Sequence, residues 1–238
     1  PATKKSAERL KLLGQEEWRI HLTGSTAVDP ILNQEFISKE TLERKLGLNF
    51  NEKTAVLLQH PVSEEKGFNG INFDKTLNVL MKSDVGKIVI IYPNSDEGSE
   101  EIINIIHNIE KSNNDKVKIY KNLPFKTYLS LLKYSSFLIG NSSGGIIEAP
   151  VIGTPVINVG TRQDGRERSP AIIDVDYNKK QILEAISKAL YDKNFLKKVS
   201  KKISPYNPYN DGKASERIVK ILQGIQMDSK LLNKRLIY

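Results

Sequence analysis

From Lys53 onward, short β-branched runs alternate with amphipathic stretches, and that rhythm leaves few architectures open other than a parallel sheet covered by helices on both faces. The predicted strands are Thr54–Gln59, Lys87–Tyr92, Val117–Tyr120, Phe137–Gly140, Pro155–Val159 and Ala171–Asp174. Helical spacing is clearest at Asn72–Met81, Ser99–Lys111, Lys126–Lys133 and Lys180–Leu190. In the second of these, Ile102, Ile103, Ile106 and Ile109 fall on one face. The reading is an α/β, Rossmann-like, doubly wound parallel sheet, complete in itself.

The flanks do not follow the rhythm. A helix over Lys4–Leu13, a strand over Trp18–Leu22, a turn at Thr23-Gly24-Ser25 and a helix opened by Ser38 and closed near Gly47 are expected. One strand and two helices cannot bury a core, so this segment must pack on the main unit or on something else. After the Pro-punctuated Tyr206-Asn207-Pro208-Tyr209 comes a helical Ala214–Ile225. The expected division is therefore 1–46, 47–205 and 206–238.

Composition removes several classes. With 238 residues, 39% hydrophobic and 27% charged, the chain is neither disordered nor fibrous. Its longest apolar runs, such as Ile88–Tyr92, fall far short of the ~18 residues of a membrane span, so no membrane partner is expected. Having no cysteine, it has no disulfide, thiolate metal site or cysteine nucleophile, and no metal is expected. That composition suits a reducing compartment, and no export segment opens the chain, so a cytoplasmic location is the reading. The net charge of +8 raises the question of anionic partners. Much of the excess, Lys179, Lys180, Lys193, Lys197, Lys198, Lys201 and Lys202, lies among apolar residues on late helices, and no basic stripe with interleaved aromatics argues for nucleic acid.

Four polar loops follow strands on one edge of the expected sheet, where open α/β sheets bind ligands. Gly140-Asn141-Ser142-Ser143-Gly144-Gly145 runs from a buried strand into a helix: either a tight turn, or a cradle of N–H and hydroxyl donors for phosphate oxygens. It is neither a Walker loop nor a dinucleotide fingerprint. Glu148 is either a helix-start charge or an acceptor for ribose hydroxyls. His60, in His60-Pro61-Val62, is a structural hydrogen-bonder or a catalytic group. In Pro93-Asn94-Ser95-Asp96-Glu97-Gly98-Ser99, Asn94 and Asp96 are turn formers or ligands, and Ser99 is the expected N-cap. Arg162, Arg166 and Arg168 offer guanidinium forks for diphosphate, or a solvated loop.

Together with Leu123-Pro124-Phe125 and Gly153-Thr154-Pro155-Val156-Ile157-Asn158-Val159-Gly160-Thr161-Arg162-Gln163-Asp164-Gly165-Arg166, these motifs resemble the hydrolysing branch of the UDP-N-acetylglucosamine 2-epimerase family, which feeds sialic and related nonulosonic acid synthesis. The likeness extends through Pro1–Ser25, which is similar to the family's helix-strand segment. The wording Asn141-Ser142-Ser143 and the Arg162–Arg166 run are closer to the hydrolysing than to the non-hydrolysing branch.

The resemblance implies one half of a GT-B-like two-domain fold, with UDP and a UDP-N-acetylhexosamine as ligands, no cofactor, and homo-oligomer formation left open. By motif it assigns the diphosphate to Ser142 and Ser143, the ribose to Glu148, and the nucleotide to Asn94 and the backbone around Leu123, with Asp96, Ser99 and Gly144 as further UDP-binding residues. Arg162 would close the site, Arg166 would help to bind UDP, and His60 would sit near the diphosphate and assist departure of UDP. The family reaction eliminates UDP across C1–C2 to give 2-acetamidoglucal, and water then adds to yield N-acetylmannosamine. The family's acid/base carboxylates lie upstream of anything Pro1–Ser25 resembles. The expectation is a UDP-binding half with a remnant of the N-terminal domain, its last helix packing back toward that domain, inactive alone.

Overall fold

The computed structural model describes residues 1–112 and 114–234, which form two compact units, Glu35–Lys202 and Pro1–Gln34 with Ile203–Tyr238. In chain order the elements are α1 (Lys4–Leu12), α2 (Asp29–Asn33), α3 (Lys39–Leu46), β1 (Thr54–Leu58), α4 (Asn69–Lys82), β2 (Lys87–Ile91), α5 (Ser99–Lys111), β3 (Val117–Tyr120) and α6 (Phe125–Tyr134). There follow β4 (Phe137–Gly140), α7 (Ser143–Ile147), α8 (Ala149–Ile152), β5 (Val156–Val159), β6 (Ile172–Val175), α9 (Lys179–Tyr191), α10 (Lys193–Val199), α11 (Ala214–Gly224) and α12 (Ser229–Leu232).

In Glu35–Lys202 the six strands form one parallel sheet in the order β3-β2-β1-β4-β5-β6. The expected Rossmann-like fold is present, and each strand agrees with its sequence run to within a residue. These runs are legible because a parallel strand buried on both faces is apolar throughout. Ala55, Leu57, Ile88, Ile90, Phe137 and Ile139 pack with Phe73 and Leu77 of α4, Ile102 and Ile106 of α5 and Ile182 of α9. Residues of the opposite parity, Val56, Val89 and Leu138, are equally buried on the other face, where α7 packs against β4 and β5.

Helix α3 belongs to the sheet unit. Leu42 and Leu46 are buried, Lys45 Nζ donates to Thr127 Oγ1 at 2.9 Å, and Tyr120 Oη donates to the Leu46 carbonyl at 2.7 Å. The units accordingly part after Gln34 and Lys202, not at the expected 46 and 205.

The other unit corrects a second expectation. Among the described residues Trp18–Leu22 is not a strand: Glu17–Arg19 forms a 3₁₀ turn, and residues 20–25 form neither helix nor strand. A β-prone sequence becomes a strand only where a neighbour can pair with it. Gly24 does adopt a left-handed φ of +88°, and a hydrogen-bonded turn closes just beyond it, from Val28 N–H to the Ser25 carbonyl at 3.0 Å. Helix α2, not predicted, carries Asp29, whose carboxylate accepts from Ala214 N at 2.9 Å and Ser215 N at 2.7 Å and so caps α11. Burial opposes charge there, but these N–H groups and Arg217 hold the Asp29 carboxyl below its ordinary pKa. Residues 235–238 of the expected tail segment lie outside the described residues. Among the described residues no helix is long and apolar enough to cross a membrane.

Candidate functional site

The sheet order reverses between β1 and β4, and there the chain is at its tightest. Leu58 pairs with Gly140 at the carboxyl ends of the two strands. Gly140 has φ of +132°, and a Cβ on it would stand 2.1 Å from the Leu58 carbonyl oxygen, so only glycine fits. The next residue, Asn141, is wholly buried and locks the loops together. Its Oδ1 accepts from His60 N–H at 2.6 Å and its Nδ2 donates to the His60 carbonyl at 2.9 Å. Its own carbonyl accepts from Gln163 Nε2 at 2.7 Å and Arg162 Nη1 at 3.3 Å. His60 Nδ1 in turn accepts from the backbone N–H of Asn94 at 3.0 Å. Loops after β1, β2, β4 and β5 are thereby tied through two adjoining residues.

These bonds set the state of His60. An Nδ1 that accepts carries no proton, so the neutral ring is protonated at Nε2. Burial, and then the Arg162 cation, push the imidazole pKa down to about 4, with Asp96 and Asn94 opposing. At neutral pH His60 offers an uncharged N–H donor.

A cavity of about 430 Å³ opens beside this hub, lined by His60, Asn94, Leu123, Ser142, Ser143, Gly144 and Glu148 together with Tyr92, Lys121, Phe125 and Tyr128. Seven of the predicted residues thus come together. Ser142 is the N-cap of α7, its Oγ accepting from Gly144 N at 3.2 Å. With only five residues, α7 has a weak dipole, so the loop's strength as an anion cradle is its local donors and not a macrodipole. Gly145 lets α7 press onto the sheet, since a Cβ there would lie 3.0 Å from Val156 Cγ1. Glu148 sits where α7 meets α8, and burial pushes its carboxyl above the usual range.

Asp96 and Arg162 line an adjoining cavity of about 340 Å³ with Glu65 and Thr161. Their charged groups lie 3.7 Å apart, and the Asn94 amide also donates to Asp96. Ser99 lines neither cavity. It is the first residue of α5, and the N-cap is Gly98, whose φ of +91° makes the turn that Ser99 was expected to cap. Arg166 is exposed and also outside both cavities. Arg168 is committed elsewhere: its Nε bonds Asp174 at 3.0 Å and its Nη1 bonds the Gln163 and Arg166 carbonyls at 2.8 and 2.9 Å. Of the three arginines in the loop, Arg162 alone faces the site.

Sequence reasoning passed over Asn141 as a building residue and Tyr128 as a lining one. Tyr128 follows Leu123-Pro124-Phe125 by one helical turn, and that spacing is the signal that would have placed it beside the loop.

Residues 1–223 match the family described as UDP-N-acetylglucosamine 2-epimerase. The chain is 34% identical over 233 residues to the UDP-N,N'-diacetylbacillosamine 2-epimerase (hydrolyzing) of Legionella pneumophila, covering 98% of this chain and 59% of that protein. It is 37% identical over 175 residues to the GDP/UDP-N,N'-diacetylbacillosamine 2-epimerase (hydrolyzing) of Campylobacter jejuni, covering 72% and 44%. In fold it is similar to the UDP-GlcNAc 2-epimerase of Neisseria meningitidis solved with UDP-GlcNAc, at TM-score 0.77 and 21% identity over 94% of this chain and 60% of that one. The six-stranded unit is the Rossmann-like part of a GT-B-type fold. The chain matches between 44% and 60% of the length of these relatives.

Proposed function

The chain belongs to the UDP-N-acetylglucosamine 2-epimerase family, and from that membership we propose that it carries the UDP-binding machinery of a hydrolysing 2-epimerase whose substrate is a UDP-2-acetamido sugar. The observation that supports this most is the His60–Asn141 hub, which gathers loops from four strands around a cavity at the switch point, where open α/β sheets take nucleotides. In this reading the Ser142 and Ser143 hydroxyls and Arg162 bind the diphosphate. Glu148 accepts from ribose, and Asn94 and Leu123 border the nucleotide. Gly144 contributes space: its N–H is taken by Ser142, and the missing side chain leaves Tyr128 and Glu148 facing the cavity.

The reaction proposed for the whole protein is an elimination followed by hydration. A base removes the C2 proton, the C1–O bond breaks with its electron pair going to the β-phosphate oxygen, and 2-acetamidoglucal forms. Water then delivers hydroxide to C1 and a proton to C2, giving the free N-acetylmannosamine-type sugar. Charge grows on UDP as it leaves, so fixed donors such as Ser142, Ser143, Arg162 and the Nε2–H of His60 stabilise the transition state more than the ground state. His60, being uncharged, acts as a hydrogen-bond donor to the leaving group. Among the described residues Glu148 is the one carboxylate lining the cavity, so the C2 proton transfers fall to groups outside it.

The hydrolysing outcome is supported by the Asn141-Ser142-Ser143 and Arg162–Arg166 wording and by the names of the Legionella and Campylobacter relatives. Those names also favour a second reading of the sugar, as a 2,4-diacetamido hexose in place of N-acetylglucosamine. NMR of the full-length protein with each UDP-sugar in D₂O tests both. Free sugar labelled at C2 plus UDP is expected; an epimerised UDP-sugar would overturn the hydrolysing reading, and binding without turnover would make the protein a UDP-sugar-binding module.

A further inference from the structure

One group in the cavity wall has no role in the scheme above. The Tyr128 hydroxyl is closed to solvent and has no hydrogen-bond partner, a state that is rare because a buried O–H forfeits its bond to water. Its helix holds it in place, between the buried Thr127 and Leu129 and with its N–H bonded to the Pro124 carbonyl at 2.9 Å. The nearest chemistry lies across Gly144. A Cβ on that glycine would stand 2.6 Å from Tyr128 Oη and 2.9 Å from Glu148 Oε2, so the hydroxyl and the carboxylate flank one missing side chain.

We propose that Tyr128 is the positioning residue of Glu148, its hydroxyl donating to the Glu148 carboxylate when a nucleotide occupies the cavity. The inference rests on the UDP-binding reading above and deepens it. Glu148 sits at the junction of two short helices with its N–H bonded to the Gly144 carbonyl at 3.0 Å, so its backbone is fixed while its side chain turns about its own torsions. A ligand that fills the cavity excludes the water that solvates the carboxylate, and a donor beside Gly144 replaces that solvation. The Tyr128 hydroxyl is that donor, and in the same step it gains the partner it lacks. Burial and then the Glu148 charge hold the phenol well above its ordinary pKa, so it keeps its proton for donation throughout the range in which Glu148 titrates.

The titratable groups sharing the cavity with Glu148 are His60 after β1, Tyr92 after β2, Lys121 after β3 and Tyr128 on α6. The test is affinity for UDP-N-acetylglucosamine, whose diesterified diphosphate does not titrate in the range, by calorimetry between about pH 5 and 8 for the wild type, Tyr128→Phe and Glu148→Gln, with the thermal midpoint of each. The wild type is expected to bind more weakly on the acid side as Glu148 takes a proton. Tyr128→Phe should bind about tenfold more weakly at neutral pH, the size of one hydrogen bond to a charged group, with its acid limb moved to higher pH and its thermal midpoint not lowered. Glu148→Gln should lose that limb, whereas a limb belonging to His60 or Lys121 would survive in it. A Tyr128→Phe variant with the wild-type pH profile would overturn the proposal. A wild type that fails to bind UDP-N-acetylglucosamine would instead overturn the reading beneath it.

Discussion

The side-chain amide of Asn141 and the main chain of His60 exchange two hydrogen bonds across the switch point of the sheet, at 2.6 and 2.9 Å. Asn141→Ala removes both at once and leaves the His60 N–H and carbonyl to find other partners. The expected cost is about 2–4 kcal/mol in urea unfolding, with UDP affinity reduced by an order of magnitude or more because the loops after β1 and β4 lose their side-chain tie. Unchanged stability would mean that the clasp contributes nothing to holding the loops.

His60 is expected to titrate near pH 4, not at its ordinary 6.5, and to show Nδ1 unprotonated in nitrogen-resolved NMR. The depressed pKa sets the sign of the linkage. Between these values the unfolded chain binds a proton that the folded one refuses, so stability rises with pH from about 4 to about 6.5 and is flat above. The span corresponds to roughly 3 kcal/mol, to be read from denaturation series with His60→Asn as the control. A His60 resonance midpoint near 6.5 would contradict the buried, Asn94-bonded ring.

The two glycines of the loop should fail differently. Gly140→Ala meets the Leu58 carbonyl at 2.1 Å with φ of +132°, and no folded protein is expected. Gly144→Ala meets the ends of two side chains, Tyr128 and Glu148. It should fold with a loss of about 1–3 kcal/mol and bind UDP at least tenfold more weakly. Circular dichroism and calorimetry separate the two outcomes, and wild-type affinity in Gly144→Ala would remove this part of the wall from the site.

Arg162 and Arg168 share a loop and should divide binding from stability. Arg162→Ala is expected to weaken UDP binding about tenfold with little change in thermal midpoint, as is Ser142→Ala apart from about 1 kcal/mol for its lost N-cap. Arg168→Ala breaks the Asp174 pair and two carbonyl contacts, and should lower stability while leaving the affinity near wild type. Equal affinity losses in both arginine variants would contradict the division.

The sheet was readable because a parallel strand such as Thr54–Leu58 or Phe137–Gly140 is apolar along its whole length and is followed by residues that end it. The strand expected at Trp18–Leu22 failed for the converse reason, since among the described residues no strand pairs with it. The site was legible as loops and much less as contacts. Asn141 in a Gly-Asn-Ser-Ser run reads as a turn residue, and its partner lies 81 positions earlier in the chain. Ser99 matched the statistics of an N-cap, yet the left-handed Gly98 took that place. Arg166 was grouped with Arg162 by adjacency, but a loop turning through Gly165 at φ of +77° directs neighbouring side chains apart.

Asp29 caps a helix that begins 185 residues later. The strands and helices between Glu35 and Lys202 form one uninterrupted stretch of sequence, while the unit that holds Asp29 is joined from two stretches 168 residues apart. A chain cut after Lys202 would keep every strand of the sheet unit, while Asp29 would lose both of the N–H groups that its carboxylate accepts from.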